Sequence, residues 1–292
     1  MDKFHEPVLV NEVISWMELR EDGIYCDCTV GGGGHLFMML EKTHNTRFIG
    51  IDQDPEALDF VRAKLGSFKE RVILYEGNFA HLDRIINELN IRGLDGILFD
   101  LGASFHQLTT PERGFSFNLD GKLLMQMSPE SVPLYRKLRA ANKEEIFSVL
   151  KTYGDVPNAR TLAGVIFEHR HKLHTTMDLR KLVETKFSGR FLKKNLHRVF
   201  QAFRIWTNEE LKNLKEGLIK AVHLLFPGRR MIVISYHSGE DRIVKNVFRD
   251  FEKKKLLRRL NKKVIRPQFE EIRKNPAARS ARMRVVEKCD SC

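Results

Sequence analysis

The sequence predicts an α/β chain: a mostly parallel, doubly wound sheet with a small helical domain inserted into it. Three observations carry that expectation. A glycine-rich turn, Asp27-Cys28-Thr29-Val30-Gly31-Gly32-Gly33-Gly34-His35, lies between a short apolar stretch and a helical pattern (Leu36, Phe37, Met39, Leu40). A second apolar strand, Arg47 to Ile51, is followed by Asp52 about twenty residues past the first glycine, where such sheets place a ribose-holding carboxylate. Two further strands, Leu94 to Leu101 and Met231 to Tyr236, stand about 130 residues apart, far more than one crossover helix needs.

The elements follow in order. Gly23 to Cys26 reads as the first strand, and the glycines then let the chain take positive φ and approach a ligand while the next helix offers free N–H groups. Asp54-Pro55-Glu56 starts a helix with a capping carboxylate and proline at the first position, and Leu58, Val61 and Leu65 share its apolar face. Val72 to Tyr75 is a third strand. Leu94 to Leu101 is a fourth, apolar throughout as a strand covered on both faces should be. From Glu144 to Val183 the pattern is amphipathic and helical. Thr207-Asn208-Glu209-Glu210 reads as a capping box, followed by Leu211, Leu214, Leu218, Val222 and Leu225 on one face, with Pro227-Gly228 as the stop. Val264-Ile265 and Met283 to Val286 would add an antiparallel pair. The body is therefore expected over 1–107 plus 207–292, and the insert over 108–206.

With 292 residues, 42% of them hydrophobic, the chain can bury a full core. No apolar run approaches the ~18 residues of a membrane span, and no charged-then-apolar leader is present, so a cytoplasmic protein without a membrane partner is expected. Cys26, Cys28, Cys289 and Cys292 are too few and too bunched for a disulfide framework. Cys289-x-x-Cys292 has metal-like spacing without a second pair, and no metal is expected. The net charge of +12 is uneven. Residues 1–107 hold 10 Lys/Arg against 18 Asp/Glu, whereas 181–204 hold 7 against 1 and 251–292 hold 14 against 5. Basic segments beside an acidic half suit a phosphate-backbone partner, although solvated surface faces would give the same counts.

Ligands of open parallel sheets bind beyond the carboxyl ends of the strands. Three such ends carry polar clusters here: Asp27 to His35, Asp100 to Ser104, and Ser235 to Ser238. Asp100 and His237 would thus meet near a ligand, unless His237 is a satisfied structural histidine. A dinucleotide site usually reads G-x-G-x-x-G with phosphate on the helix N-terminus. Asp27 before the glycines suits an ammonium better than a phosphate, which favours S-adenosylmethionine over NAD. The bland alternative is that Asp27 caps a turn.

Together these motifs resemble the bacterial 16S ribosomal RNA cytosine-N4-methyltransferase family, RsmH or MraW. The matching stretches run from end to end. They include His5-Glu6-Pro7-Val8-Leu9, Asp27-x-Thr29-x-Gly31-x-Gly33-Gly34-His35, Asp52-Gln53-Asp54-Pro55 and Asp95-Gly96-Ile97-Leu98. Asp100-Leu101-Gly102, Glu112-Arg113-Gly114-Phe115-Ser116-Phe117, Tyr153-Gly154 and Phe200-Gln201-Ala202 continue the series. His237-Ser238, Glu240-Asp241-Arg242-Ile243-Val244-Lys245 and Asn275-Pro276-x-Ala278-Arg279-Ser280 close it.

The resemblance implies a Rossmann-like methyltransferase domain with an inserted helical substrate-recognition domain. The substrate it implies is the N4 amino group of a decoding-region cytidine. Partners would be small-subunit rRNA or the assembled small ribosomal subunit, and a homodimer is compatible with it. It would assign Gly33, Gly34 and His35 to the methionine end of the cofactor and Asp52 to the ribose. Phe79, Asp100 and Gln107 would surround the adenosine, with Asp27 beside the glycine turn.

Cytosine N4 is a poor nucleophile, so the site must align acceptors on its N–H groups; Asp100, Ser104 and His237 are the candidates. Arg113, Arg198, Arg204, Arg242, Lys245 and Arg279 are candidates for RNA, held across the insert and the C-terminal region. Arg204 could instead be structural, beside the Thr207 cap. The departures cluster on the substrate side. Leu124, Gln126 and Ser128 stand where the family has Asp, Arg and Asp, and Phe105, His106 and Gly239 also differ. They leave open a binding-only ribosome-assembly factor of the same fold.

Overall fold

Among the described residues seven strands form one sheet, in which, counted in chain order, the third, second, first, fourth, fifth, seventh and sixth lie side by side. The structure, a computed structural model, describes residues 7–290. His5, Glu6 and Cys292, named above, lie outside these residues. The chain runs α1 (Val10–Met17), β1 (Ile24–Asp27), α2 (Gly34–Leu40), β2 (Arg47–Asp52), α3 (Pro55–Lys64), β3 (Val72–Glu76), α4 (Leu82–Glu88) and β4 (Leu94–Asp100). Six helices follow: α5 (Phe105–Thr109), α6 (Leu134–Ala140), α7 (Lys143–Gly154), α8 (Ala159–His169), α9 (Thr176–Glu184) and α10 (Leu192–Asn208). The rest is α11 (Glu210–Leu224), β5 (Leu225–Ser235), α12 (Ser238–Lys253), β6 (Leu257–Arg259), α13 (Phe269–Lys274) and β7 (Arg282–Lys288).

Two compact units result, 1–102 with 211–292, and 103–210. In the first, β1 to β5 are parallel and β7 runs antiparallel to both β5 and β6. Residues alternate across the sheet with a period of two, which sorts the core into two layers. Ile97, Phe99, Met231 and Val233 pack with Leu214, Leu218 and Phe248. Leu98, Ile232 and Ile234 pack with Val13, Leu36 and Val61 on the other layer. The expected α3 cap is present, with Asp54 accepting the Glu56 N–H at 3.2 Å and proline at N1. The expected pairing of Val264-Ile265 with Met283 to Val286 shrinks to a single antiparallel bridge, Ile265 to Met283. β7 instead spends its hydrogen bonds on β5 and on the short β6, which the sequence does not announce.

The second unit is helical, with its own core built from Leu123, Met125, Leu138, Leu150, Leu162, Ile166, Leu179 and Phe203. Thr207 does not start a helix here. It is buried in the last turn of α10, which runs on to Asn208 and ends at Glu209 in the left-handed region (φ 51°). The cause is Asn208: its Oδ1 accepts the Met127 N–H and its Nδ2 donates to the Met125 carbonyl, both at 2.8 Å. Buried amide-to-backbone bonds of this kind outweigh a surface cap. The unit boundaries thus fall a few residues from the 107/108 and 206/207 expected from the sequence.

Candidate functional site

β1 and β4 are neighbours, yet the chain leaves β1 toward β2 and β3 and leaves β4 toward β5. That reversal opens a crevice at their carboxyl ends, the place where open α/β sheets hold ligands. The glycine turn is moored over it: Cys28 N–H donates to the Leu98 carbonyl and Val30 N–H to the Ile51 carbonyl, both at 2.9 Å. Gly33 adopts φ +79°, and a Cβ there would stand 2.7 Å from the Phe37 ring. Only glycine fits both demands.

Carboxylates converge on this turn. Asp27, 1% exposed, accepts the Thr29 N–H at 3.1 Å. Burial pushes its carboxyl up to about 6, with His35 opposing the shift. Asp52 accepts the Gly31 N–H on Oδ2 at 2.8 Å and the Asp54 N–H on Oδ1 at 3.0 Å. Its residue surface is only half-buried, but the carboxyl lies beneath the turn, and burial raises it to about 6 as well. The Gln53 backbone N–H also donates to this carboxylate, and of its roughly four lone pairs one remains for an incoming hydroxyl. Phe79, after β3, packs edge-on to Phe99 at 5.4 Å.

His35 and Asp100 form the other wall. His35 Nε2 lies 2.9 Å from the Val8 carbonyl, which can only accept, so the ring proton sits on Nε2. Its Nδ1 faces Asp100 Oδ2 at 3.6 Å. That contact would be an ion pair only with a charged ring, and burial pulls the His35 pKa down. We therefore read Nδ1 and Oδ2 as two acceptors facing one space. The Asp100 N–H donates to Thr29 Oγ1 at 2.7 Å, and the Tyr236 hydroxyl donates to Asp100 Oδ1 at 2.8 Å. Burial, then the charge of Asp100, raises the Tyr236 pKa far above its usual range, so the hydroxyl stays a donor. Tyr236 is absent from the sequence candidates, because an aromatic at a strand end reads as core.

His237 caps the helix that follows it. Its Nδ1 accepts the Gly239 N–H at 3.1 Å and the Glu240 N–H at 3.4 Å, while Glu240 Oε2 accepts the His237 N–H at 3.2 Å. This is a reciprocal cap of α12. His237 Nε2 stands 3.0 Å from Glu240 Oε1, but without hydrogen-bond alignment. We take the capping bonds as the ones that fix the ring. Asp241 accepts from Arg284 Nε at 2.7 Å and Nη2 at 3.2 Å, tying α12 to β7.

The second unit carries Ser104, Gln107, Arg113, Arg198 and Arg204. Ser104 Oγ accepts the Gln107 N–H and Gln107 Oε1 accepts the Ser104 N–H, both at 3.1 Å, a capping box on α5. Arg113 Nη2 donates to the Gln126 carbonyl at 3.1 Å. Gly114 must be glycine, since φ is +72° and a Cβ would stand 2.2 Å from the Lys122 carbonyl. Leu124, Gln126 and Ser128 are half-buried and alternate with the buried Leu123, Met125 and Met127, so those departures leave the core intact. Arg198 is half-buried. Arg204 is paired within the fold: its Nε and Nη2 donate to Glu210 Oε1 and Oε2 at 2.9 Å each, with side chains 17% and 11% exposed. In the first unit Arg242, Lys245 and Arg279 are exposed. No cluster able to hold a metal ion is found among the described residues, nor a helix long and apolar enough to cross a membrane.

The family model described as the MraW methylase family matches residues 2–289. A ribosomal RNA small subunit methyltransferase H from Thermotoga neapolitana is 43% identical over 291 residues, covering 97% of this chain and 96% of its own length. One of the same name from Sulfurihydrogenibium is 39% identical over 287 residues, covering 96% and 98%. A solved rRNA methylase from Streptococcus thermophilus overlaps 96% of this chain and 94% of its own, at 10% identity and a TM-score of 0.45, too low to add to the argument.

Proposed function

The chain belongs to the MraW methylase family, and from that premise we propose that it methylates the N4 amino group of a decoding-region cytidine in small-subunit rRNA, using S-adenosylmethionine. The substrate in this reading is the cytoplasmic rRNA, free or within the assembled subunit. The observation that carries the cofactor half is the acceptor-rich crevice. Asp27, Asp100 Oδ2 and a neutral His35 Nδ1 are acceptors, and they suit an α-ammonium group. Asp52 suits the ribose hydroxyls and Phe79 the adenosine, while Gln107 belongs to the α5 cap of the second unit. This moves Asp100 from the adenosine, where the resemblance puts it, to the methionine end, because it stands against His35.

The cofactor supplies an electrophilic methyl on a positively charged sulfur. The chain's own task is to orient that methyl, exclude water and receive the proton that N4 gives up as its new bond forms. Asp100 is the best-placed acceptor, being held by Tyr236 and the Thr29 hydroxyl. His237 and Ser104 serve as helix caps in this reading, since their side chains already accept backbone N–H groups. The second unit, 103–210, would recognise substrate.

Nucleoside analysis of small-subunit rRNA from cells with and without the gene tests the proposal. N4-methylcytidine should disappear without the gene and return with it. Unchanged levels would leave a protein that binds cofactor and RNA without turnover.

A further inference from the structure

The C-terminal segment of the first unit sorts its cations into two sets. Arg258, Arg259, Arg282 and Arg284 pair with Glu287, Glu252 and Asp241. Lys262, Lys263, Arg266, Arg273, Lys274 and Arg279 are exposed, and no ion pair of theirs is found among the described residues. Amid this second set stands Phe269, the first residue of α13 and 79% exposed, against 36–55% for the other exposed large hydrophobics. The paired arginines hold β6 and β7 to their neighbours; the unpaired set holds nothing within the fold.

An exposed ring among unpaired cations is the arrangement that single-stranded nucleic acid uses. Phosphates pair with the cations and a base stacks on the ring. We propose that Phe269 is the stacking platform for an unpaired base of the RNA that these cations hold. This rests on the rRNA reading above and specifies it: the segment takes single-stranded RNA next to the target, not a duplex face. The acids of α13 fix the direction. Glu270 and Glu271 line a groove with Pro7, Val10 and Asn11, and Glu271 accepts the Leu9 N–H at 2.7 Å. Carboxylates repel phosphate, so the RNA backbone runs over the lysines and arginines, Arg273 and Lys274 in the last turn of α13 among them, and only a base turns toward the first turn, where Phe269 stands beside Glu270 and Glu271.

Stacking and phosphate pairing respond differently to salt, because only the second releases counterions. The test is fluorescence anisotropy of the full chain with an unstructured oligoribonucleotide over a salt series. Phe269→Ala should weaken binding roughly tenfold at every salt concentration, the scale of one lost stacked base, and leave the salt slope unchanged. Phe269→Trp should restore it. Arg273→Gln with Lys274→Gln should instead flatten the slope by about one to two. Melting temperature and cofactor affinity should stay at the wild-type values in the Phe269 variants. Wild-type RNA affinity in Phe269→Ala, with the natural protein binding RNA, would overturn this inference alone. A natural protein that binds no RNA would overturn the rRNA reading with it. Concentration-dependent dimerisation lost in Phe269→Ala, without a change in RNA affinity, would assign the ring to a second copy of the chain and overturn the proposal.

Discussion

The crevice at the carboxyl ends of β1 and β4 and the surface around α13 handle charge in opposite ways. In the crevice, Asp27 and Asp52 are sunk beneath a glycine turn, fixed by backbone N–H groups, and held near a pKa of about 6 by burial. Around α13 the lysines and arginines stand in water with no ion pair among the described residues. The first arrangement costs folding free energy until a cation or hydroxyl-rich ligand arrives. The second costs almost nothing and yields its energy only when phosphates displace counterions. In the proposed reading, small-molecule binding is thus built from buried charge, and RNA affinity from exposed charge.

Arg204 tests where that line runs. It lies in a basic stretch, yet its bidentate pair with Glu210 puts it on the buried side of the comparison. Arg204→Ala would leave Glu210 unpaired and should cost about 3 kcal/mol of stability. Thermal melting beside an RNA salt titration should show a lower Tm with an unchanged salt slope. A reduced slope at unchanged Tm would return Arg204 to the RNA surface.

Asp27 sharpens the comparison from the other side. Its folded pKa of about 6 lies above the ordinary aspartate value of 3.8. Between those values the folded state binds more protons than the unfolded chain, so stability from this group falls as pH rises through 6. Asp27→Asn should therefore stabilise the ligand-free protein at pH 7 by about 2 kcal/mol, and by little at pH 4. It should at the same time weaken S-adenosylmethionine. In the natural protein, affinity for this cationic ligand should fall as pH drops through 6, with proton release on binding near that pH. Calorimetry in buffers of different ionisation enthalpy reads that release, and a gain in stability from Asp27→Asn that is the same at pH 4 as at pH 7 would contradict the raised Asp27 pKa.

Asp52→Ala should weaken cofactor binding by about 2 kcal/mol, roughly thirtyfold, the scale of a lost charged hydrogen bond. Unchanged affinity by calorimetry would remove Asp52 from the ribose. The smallest effect expected is that of Tyr236→Phe, which removes only the hydroxyl on Asp100 Oδ1. It should weaken S-adenosylmethionine by about 1 kcal/mol, roughly fivefold. 5′-Methylthioadenosine, which lacks the ammonium, should bind as before. Equal losses for both ligands would place Asp100 at the adenosine.

The parts legible in the sequence are those fixed by local spacing. β1, the glycine turn, Asp52 and the mostly apolar β4 each declare themselves within a few residues, and Asp54-Pro55 marks α3 by its own cap. The Ser104–Gln107 box was also readable, as serine three residues before glutamine, but Ser104 looks equally like a reactive hydroxyl after a strand. What spacing cannot give is the choice of partner. Tyr236 and Asp100 are 136 residues apart, and nothing near either names the other. Thr207-Asn208-Glu209-Glu210 has the composition of a helix start, and only the distant Met125 and Met127 backbone groups decide that it is a helix end. Charge counts give the basic segments correctly but do not separate Arg204 and Arg284, which are paired, from Arg273 and Arg279, which are exposed.

Methyl transfer measured directly tests the central claim. Purified protein with radiolabelled S-adenosylmethionine and small ribosomal subunits from cells lacking the gene should place label in rRNA, and digestion should recover it as N4-methylcytidine. Label in another nucleoside, or tight binding of cofactor and RNA with no transfer, would contradict the account.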